Sequence, residues 1–255
     1  MINPFIDKRR FLNSGWNIST LVNTYNYPTS LAGNEGGIYL KPDGLVVYIT
    51  GFSNNIHQLD LSTAWDLSTA TLRDTTTGIN TGNQGISFKP DGTKMYIAAN
   101  VTDGIYEYNL STAWDVTTFS FVQNIALPVI VTGLFIKSDG LKMYTSNLTT
   151  SLIYEHTLST AWDISSITTG STLDVSSKTT TPDDVFFKPD GSKMYITDGS
   201  IWQYNLGTAW DITTAVYSQT IVASSASNGL YIRDDGFKAY TANNNSTPIS
   251  EYDLT

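Results

Sequence analysis

The chain of 255 residues contains no cysteine. Disulfides and thiolate-held metals are therefore excluded, and cysteine usage leaves the redox compartment open. No run of eighteen apolar residues occurs, and Met1 to Leu12 carries Asp7, Lys8, Arg9 and Arg10 with no apolar stretch behind them. Neither a membrane-spanning helix nor a cleavable signal peptide is expected. Charged residues make up only 15% of the chain and lean acidic, 23 against 14, for a net charge of -9. Such a surface is expected to take no nucleic acid and no anionic membrane as partner. Of histidines there are two, His57 and His156, too dispersed for a metal site or a nucleophile triad. No cofactor is expected.

What is present is repetition. Phe88 to Asp115 reads F-K-P-D-G-T-K-M-Y-I-A-A-N-V-T-D-G-I-Y-E-Y-N-L-S-T-A-W-D, and variants of it recur along the chain. A basic residue, an acid and a glycine return as Lys41-Pro42-Asp43-Gly44, Lys89-Pro90-Asp91-Gly92, Lys137-Ser138-Asp139-Gly140, Lys188-Pro189-Asp190-Gly191 and Arg233-Asp234-Asp235-Gly236. Their aspartates step by 48, 48, 51 and 45 residues; a second marker, Trp16, Trp65, Trp114, Trp162 and Trp210, steps by 49, 49, 48 and 48. Two independent markers with one period of about fifty residues point to repeat architecture.

Each unit divides into four strand-sized stretches, A to D, as in Gly37 to Leu40, Val46 to Ile49, Ile56 to Leu61 and Thr69 to Arg73. Pro-Asp-Gly between A and B is hairpin chemistry: proline sets φ, aspartate bonds the backbone ahead and glycine takes the left-handed conformation. Ser-Thr-Ala-Trp-Asp turns C into D, with the indole expected in the seam between units. Lys94, Lys142, Lys193 and Lys238 open strand B opposite Glu107, Glu155, Gln203 and Glu251 of strand C, a pattern read as exposed cross-strand pairing. Trp202, outside the repeated turn, is expected to fill core.

The last unit stops after strand C at Tyr252-Asp253-Leu254-Thr255, while the first tryptophan, Trp16, precedes a lone D-like strand. The two fragments complete one unit, which suits a closed ring and removes a sheet edge. The expected fold is all-β, a single five-bladed propeller of four-stranded antiparallel blades over residues 14–255, preceded by an arm over 1–13. The predicted closure pairs residues 20–27 with 249–254.

The Phe-Lys-Pro-Asp-Gly-x-Lys-Met-Tyr segment resembles the repeats of the YVTN and PD40-like propeller families. With Tyr-Asn-Leu-Ser-Thr-Ala-Trp-Asp, the whole unit is similar to propeller repeats of phage virion and tail-associated proteins, a resemblance that implies localisation on a phage particle. It does not implicate WD40 proteins, since no Gly-His pair accompanies Trp-Asp. The A–B and C–D turns are nearly uniform and share one face, so a ligand is expected on the opposite face, where the D–A and B–C loops vary. Glu35, Phe52, Asn83, Asp103, Asp183, Asp198 and Asn244 are its candidate contacts, with the mouth of the channel at Glu35, Asn83, Asp183 and Asp184. The expected function is non-enzymatic recognition of a host-surface glycan or protein, the arm docking to virion structural proteins. Two alternatives stay open: a purely structural or decorating virion protein, and a glycoside-active enzyme using paired carboxylates.

Overall fold

The computed structural model describes residues 15–28, 31, 35–79, 82–101, 104–127, 130–223, 227–244 and 247–254. Its strands fall into five antiparallel sheets of four. Blade 1 runs outward as β2 (Glu35–Leu40), β3 (Val46–Gly51), β4 (Asn55–Leu61) and β5 (Ala70–Thr77). Blade 2 is β6 (Asn83–Phe88), β7 (Lys94–Ala99), β8 (Gly104–Leu110) and β9 (Phe119–Ala126). Blade 3 is β10 (Val131–Ile136), β11 (Lys142–Asn147), β12 (Leu152–Leu158) and β13 (Ile167–Asp174). Blade 4 is β14 (Asp184–Phe187), β15 (Lys193–Thr197), β16 (Ser200–Leu206) and β17 (Ala215–Val222). Blade 5 takes β18 (Ser227–Ile232), β19 (Lys238–Asn243) and β20 (Ile249–Leu254) from one end of the chain and β1 (Leu21–Asn26) from the other. The innermost strands touch in cyclic order, β2 to β6 to β10 to β14 to β18 and back to β2, so the ring is closed.

The closure has the predicted partners: Leu21 pairs with Leu254, Val22 with Asp253 and Asn26 with Ser250. The repeated turns also behave as the sequence implied. Gly44, Gly92, Gly140, Gly191 and Gly236 all have φ between 73° and 76°, and each turn aspartate accepts the amide two residues ahead, as Asp91 does from Thr93 at 2.9 Å. Asp66, Asp115, Asp163 and Asp211, with Asn17 in blade 5, cap short 3-10 turns that carry the chain from the tryptophan into the outer strand.

The tryptophans sit in the seams and make one contact within the blade and one across. Each indole covers the turn glycine of its own blade, as Trp65 does Gly44 and Trp114 does Gly92. Each tryptophan carbonyl accepts a buried tyrosine hydroxyl from the preceding blade: Tyr48 to Trp114, Tyr96 to Trp162, Tyr144 to Trp210, Tyr195 to Trp16 and Tyr240 to Trp65, at 2.6 to 2.8 Å. All five seams are bridged. Trp202 is only partly buried, and its Nε1 donates to Asp198 Oδ1 at 2.8 Å.

The lysine–glutamate pattern needs correction. Lys94–Glu107, Lys142–Glu155 and Lys238–Glu251 do pair, but Glu107 is 0% and Glu251 4% exposed. These carboxylates are buried because they also face the seam: Glu251 accepts the Leu67 amide of blade 1 at 2.7 Å, and Glu155 that of Ile212 in blade 4 at 3.5 Å. In blade 4, Lys193 turns instead to Asn205 at 3.0 Å. The histidines are packing residues: His156 lies between Thr145 and Thr169, at 3.0 and 3.1 Å, and burial pushes its pKa down to about 4.

Candidate functional site

The axial ends of the five inner strands can be aligned residue by residue, and three registers decide the shape of the channel. The first holds Gly37, Gly85, Gly133, Asp184 and Gly229. Here the strands meet backbone to backbone: a Cβ on Gly37 would lie 2.2 Å from the Gln84 carbonyl oxygen, and one on Gly133 2.5 Å from Asp184 Cα. Glycine is required because no side chain fits between the strands. Blade 4 alone carries a side chain at this register. The Asp184 carboxylate is buried on the axis, Oδ1 accepting the Val185 amide at 2.8 Å and Oδ2 the Leu230 amide of blade 5 at 3.1 Å, with the Leu134 amide of blade 3 also bonded to it.

This plug shuts the variable-loop end of the channel. The space between Gly36, Gln84, Thr132, Asp183 and Asn228 does not admit a water molecule. Hydroxyls stitch the same end across the seams: Thr50 Oγ1 accepts the Gly37 amide and donates to Gln84 O, Ser146 Oγ accepts the Gly133 amide and donates to Asp183 O, and Thr197 Oγ1 donates to Asn228 O, at 2.5 to 3.0 Å. Blades 2 and 5 have Ala98 and Ala242 at that position, so no five-fold signal marked it. The mouth expected at this end is a seal.

Burial, aided by Asp198, raises the Asp183 pKa to about 7; burial raises that of Asp184 to about 7 as well, against the pull of its three amides. Between 3.8 and 7 the folded chain holds protons that the unfolded chain has lost. Stability therefore falls as pH rises from about 4 to 7 and levels off above 7, a loss of about 1 kcal/mol per group between pH 6 and 8. Calorimetry is expected to show a higher Tm at pH 6 than at pH 8, and the double variant Asp183→Asn/Asp184→Asn a flatter profile. An unchanged slope in that variant would remove this account.

The opposite end, among the repeated turns, is open. A cavity of about 290 Å³ runs down the axis from Asp184 to Pro42, Pro90, Ser138, Pro189 and Asp234. The second register, Tyr39, Ser87, Phe135, Phe186 and Tyr231, forms its wall. Tyr39 meets Tyr231 edge to face at 5.6 Å, Tyr231 meets Phe186 at 5.6 Å, and Phe186 meets Phe135 at 5.5 Å. The arc of rings breaks only at Ser87. The third register is the turn proline itself, replaced by Ser138 in blade 3 and Asp234 in blade 5.

At the rim, each basic turn residue is spent on an aspartate of its own turn: Lys41–Asp43, Lys89–Asp91, Lys137–Asp139, Lys188–Asp190 and Arg233–Asp235, at 2.5 to 2.7 Å. Asp234 has no such partner among the described residues. Its charge acts on both Tyr39 and Tyr231, whose pKa values burial chiefly raises, so both remain neutral hydrogen-bond donors.

Of the residues expected to contact a ligand, Glu35, Phe52, Asp183, Asp198 and Asn244 do not line this cavity. Glu35 is 1% exposed in β2. Phe52, Asp183 and Asp198 are partly exposed and Asn244 is exposed on the loop face. Asn83 is described only in its backbone, within β6, and Asp103 lies outside the described residues. Among the described residues no cluster of histidine or carboxylate suits a metal ion. No helix is long and apolar enough to cross a membrane.

No protein-family model and no curated protein matches the chain. Solved structures share its fold at low identity. A protein from Lactobacillus plantarum is 14% identical with a TM-score of 0.54, over 83% of this chain and 64% of that one. Hydrazine synthase of Kuenenia stuttgartiensis is 16% identical with a TM-score of 0.53, over 86% and 58%. A candidate 6-phosphogluconolactonase of Bacteroides fragilis is 12% identical with a TM-score of 0.51, over 82% and 60%. The chain spans less than two thirds of each of these proteins, and the likeness is one of fold.

Proposed function

We infer that this protein is a non-enzymatic binding module that takes one small group of its ligand into the axial cavity, from the face of repeated turns. The observation that carries this reading is that Ser87, Ser138, Asp184 and Asp234, each a departure from the repeat at its register, all line one cavity. What every blade needs in order to fold explains the repeated residues and leaves these four unexplained. The cavity volume of about 290 Å³ sits at the low end of small-molecule sites, room for a single ring or side chain rather than a run of sugars.

Ser87→Tyr tests the reading by giving blade 2 the ring that blades 1 and 5 already carry. In a ligand-observed NMR screen of small ring compounds and side-chain analogues, compounds bound by the parent are expected to be lost in this variant at unchanged Tm. Equal binding by parent and variant would place the site elsewhere. The setting implied by the repeat resemblance, a phage particle, remains a separate proposal, which mass spectrometry of purified particles tests.

A second reading, lactone hydrolysis, draws on the name of the Bacteroides fragilis neighbour and on Asp184, a carboxyl with a pKa near 7 at the cavity floor. It ranks second because the amides of Val185, Leu230 and Leu134 already engage that carboxyl. It requires glucono-lactones to open faster with the protein than in buffer, and that gain to vanish in Asp184→Asn.

A further inference from the structure

The cavity presents a particular set of unspent groups. Tyr39, Ser87, Ser138 and Tyr231 line it and carry hydroxyls with no hydrogen-bond partner among the described residues, and Asp234 lines it with a carboxylate that has none either. Hydroxyls both donate and accept, but a carboxylate only accepts. The charges around the opening cancel in five turn pairs, which leaves Asp234 as the uncompensated one, on a chain whose net charge is -9. The remaining wall is the arc of Tyr39, Tyr231, Phe186 and Phe135, whose ring faces attract cations.

An anion would meet Asp234 at the rim and Asp184 on the floor, so it is disfavoured. A quaternary ammonium would suit the rings and the charge of Asp234 but has no N–H to give the hydroxyls or the carboxylate. A planar group with several N–H donors and one positive charge answers all of them, and its flat face can lie along an aromatic wall. Resting on the reading that the cavity is the binding site, we propose that its ligand group is a guanidinium, stacked on the ring arc, hydrogen-bonded to Tyr39, Ser87 and Tyr231 and charge-paired with Asp234.

The exposed position of Asp234 and the turn chemistry supply a clean test. Asp234→Pro removes the charge by installing the residue that blades 1, 2 and 4 carry at that register, so the turn keeps a conformation it already uses. Calorimetric titration at pH 7.5 and low salt would compare ethylguanidine, N-acetyl-arginine amide, its neutral isostere N-acetyl-citrulline amide and methyl glucoside. The guanidinium compounds are expected to bind at least tenfold more tightly than the citrulline compound. Asp234→Pro is expected to cost about tenfold for the cations and nothing for the neutral compounds, and Ser87→Tyr to abolish binding of all. Tighter binding of N-acetyl-arginine amide than of ethylguanidine would point to an arginine of a partner protein, equal binding to a free guanidino compound.

If citrulline or glucoside binds as well as arginine and Ser87→Tyr still blocks it, the guanidinium assignment is overturned and the cavity reading stands. If binding survives Ser87→Tyr, both fall. Absence of binding by either guanidinium compound to the parent also overturns the assignment, and the cavity reading is then decided by the broader screen alone.

Discussion

Removal of residues 1–27 is expected to leave a chain that does not hold its ring, whereas removal of 1–12 is expected to leave Tm unchanged. The longer deletion takes away β1 and the residues that lock it in place, Trp16 at 4% and Ile18 at 1% exposure. Truncation of such side chains alone costs about 3–5 and 2–5 kcal/mol respectively. It also strips Tyr195 of its carbonyl partner and leaves β20 as an unpaired edge. A combined loss above about 5 kcal/mol approaches the whole stability of an ordinary domain. For a domain of this size it should lower Tm by more than about 10 °C. Scanning calorimetry with size-exclusion chromatography checks this: the longer deletion should melt early and elute as aggregate. Equal melting temperatures for the two truncations would show that β1 does not close the ring.

The smallest substitution with a comparable effect is Gly37→Ala. Its new methyl group would lie 2.2 Å from the Gln84 carbonyl oxygen, and both partners are backbone at the crowded axis, so neither can swing aside. Overpacking costs about 1–3 kcal/mol where side chains can adjust; between two strand backbones it is expected to exceed that range or prevent folding. Gly207→Ala is the control. Its methyl group would find ordinary contacts with Thr214 at 3.6 Å, at a position where the other complete units carry serine. Chemical denaturation should separate the two by more than about 3 kcal/mol, against a control within the usual few tenths for surface changes. If Gly37→Ala is as stable as Gly207→Ala, the axial contact is looser than the distances imply.

The ring was legible in the sequence because its causes are local and repeated. Asp-Gly turns, the tryptophan turn and the division of one unit between Trp16 and Tyr252 each follow from what a blade needs, and two markers with one period left little freedom. The seam role of the tryptophans was legible for the same reason. Burial of Glu107, Glu155 and Glu251 was not, because cross-strand pairing within a blade predicts the lysine contact equally well whether or not a neighbouring blade covers it. The polarity of the channel was hidden at the glycines. From the sequence Gly37 is only the first residue of a strand, and a close approach between chain segments distant in sequence shows why it, Gly85 and Gly133 must lack a side chain. Asp183 and Asp184 drew notice as adjacent carboxylates, whereas the meaningful fact about Asp184 is that it stands at a glycine register. Ser87 and Asp234 could have been singled out by aligning the units and asking which residues break the pattern on the inner strand. Variation in the loops is ordinary and carries less meaning than a break in the inner-strand pattern.

The pairing of β1 with β20 also governs the order of events during synthesis. Blades 1 to 4 are each made of four consecutive strands and can assemble as they leave the ribosome. The strand that finishes blade 5 is made first, and its partner, more than 220 residues later, is made last. At about 5–20 residues per second, β1 waits roughly ten to fifty seconds with its pairing edge unused. Its sequence makes that wait a hazard: Leu21-Val22-Asn23-Thr24-Tyr25-Asn26 carries no charge, proline or glycine, the composition of a segment able to seed self-association until β20 arrives to cover it.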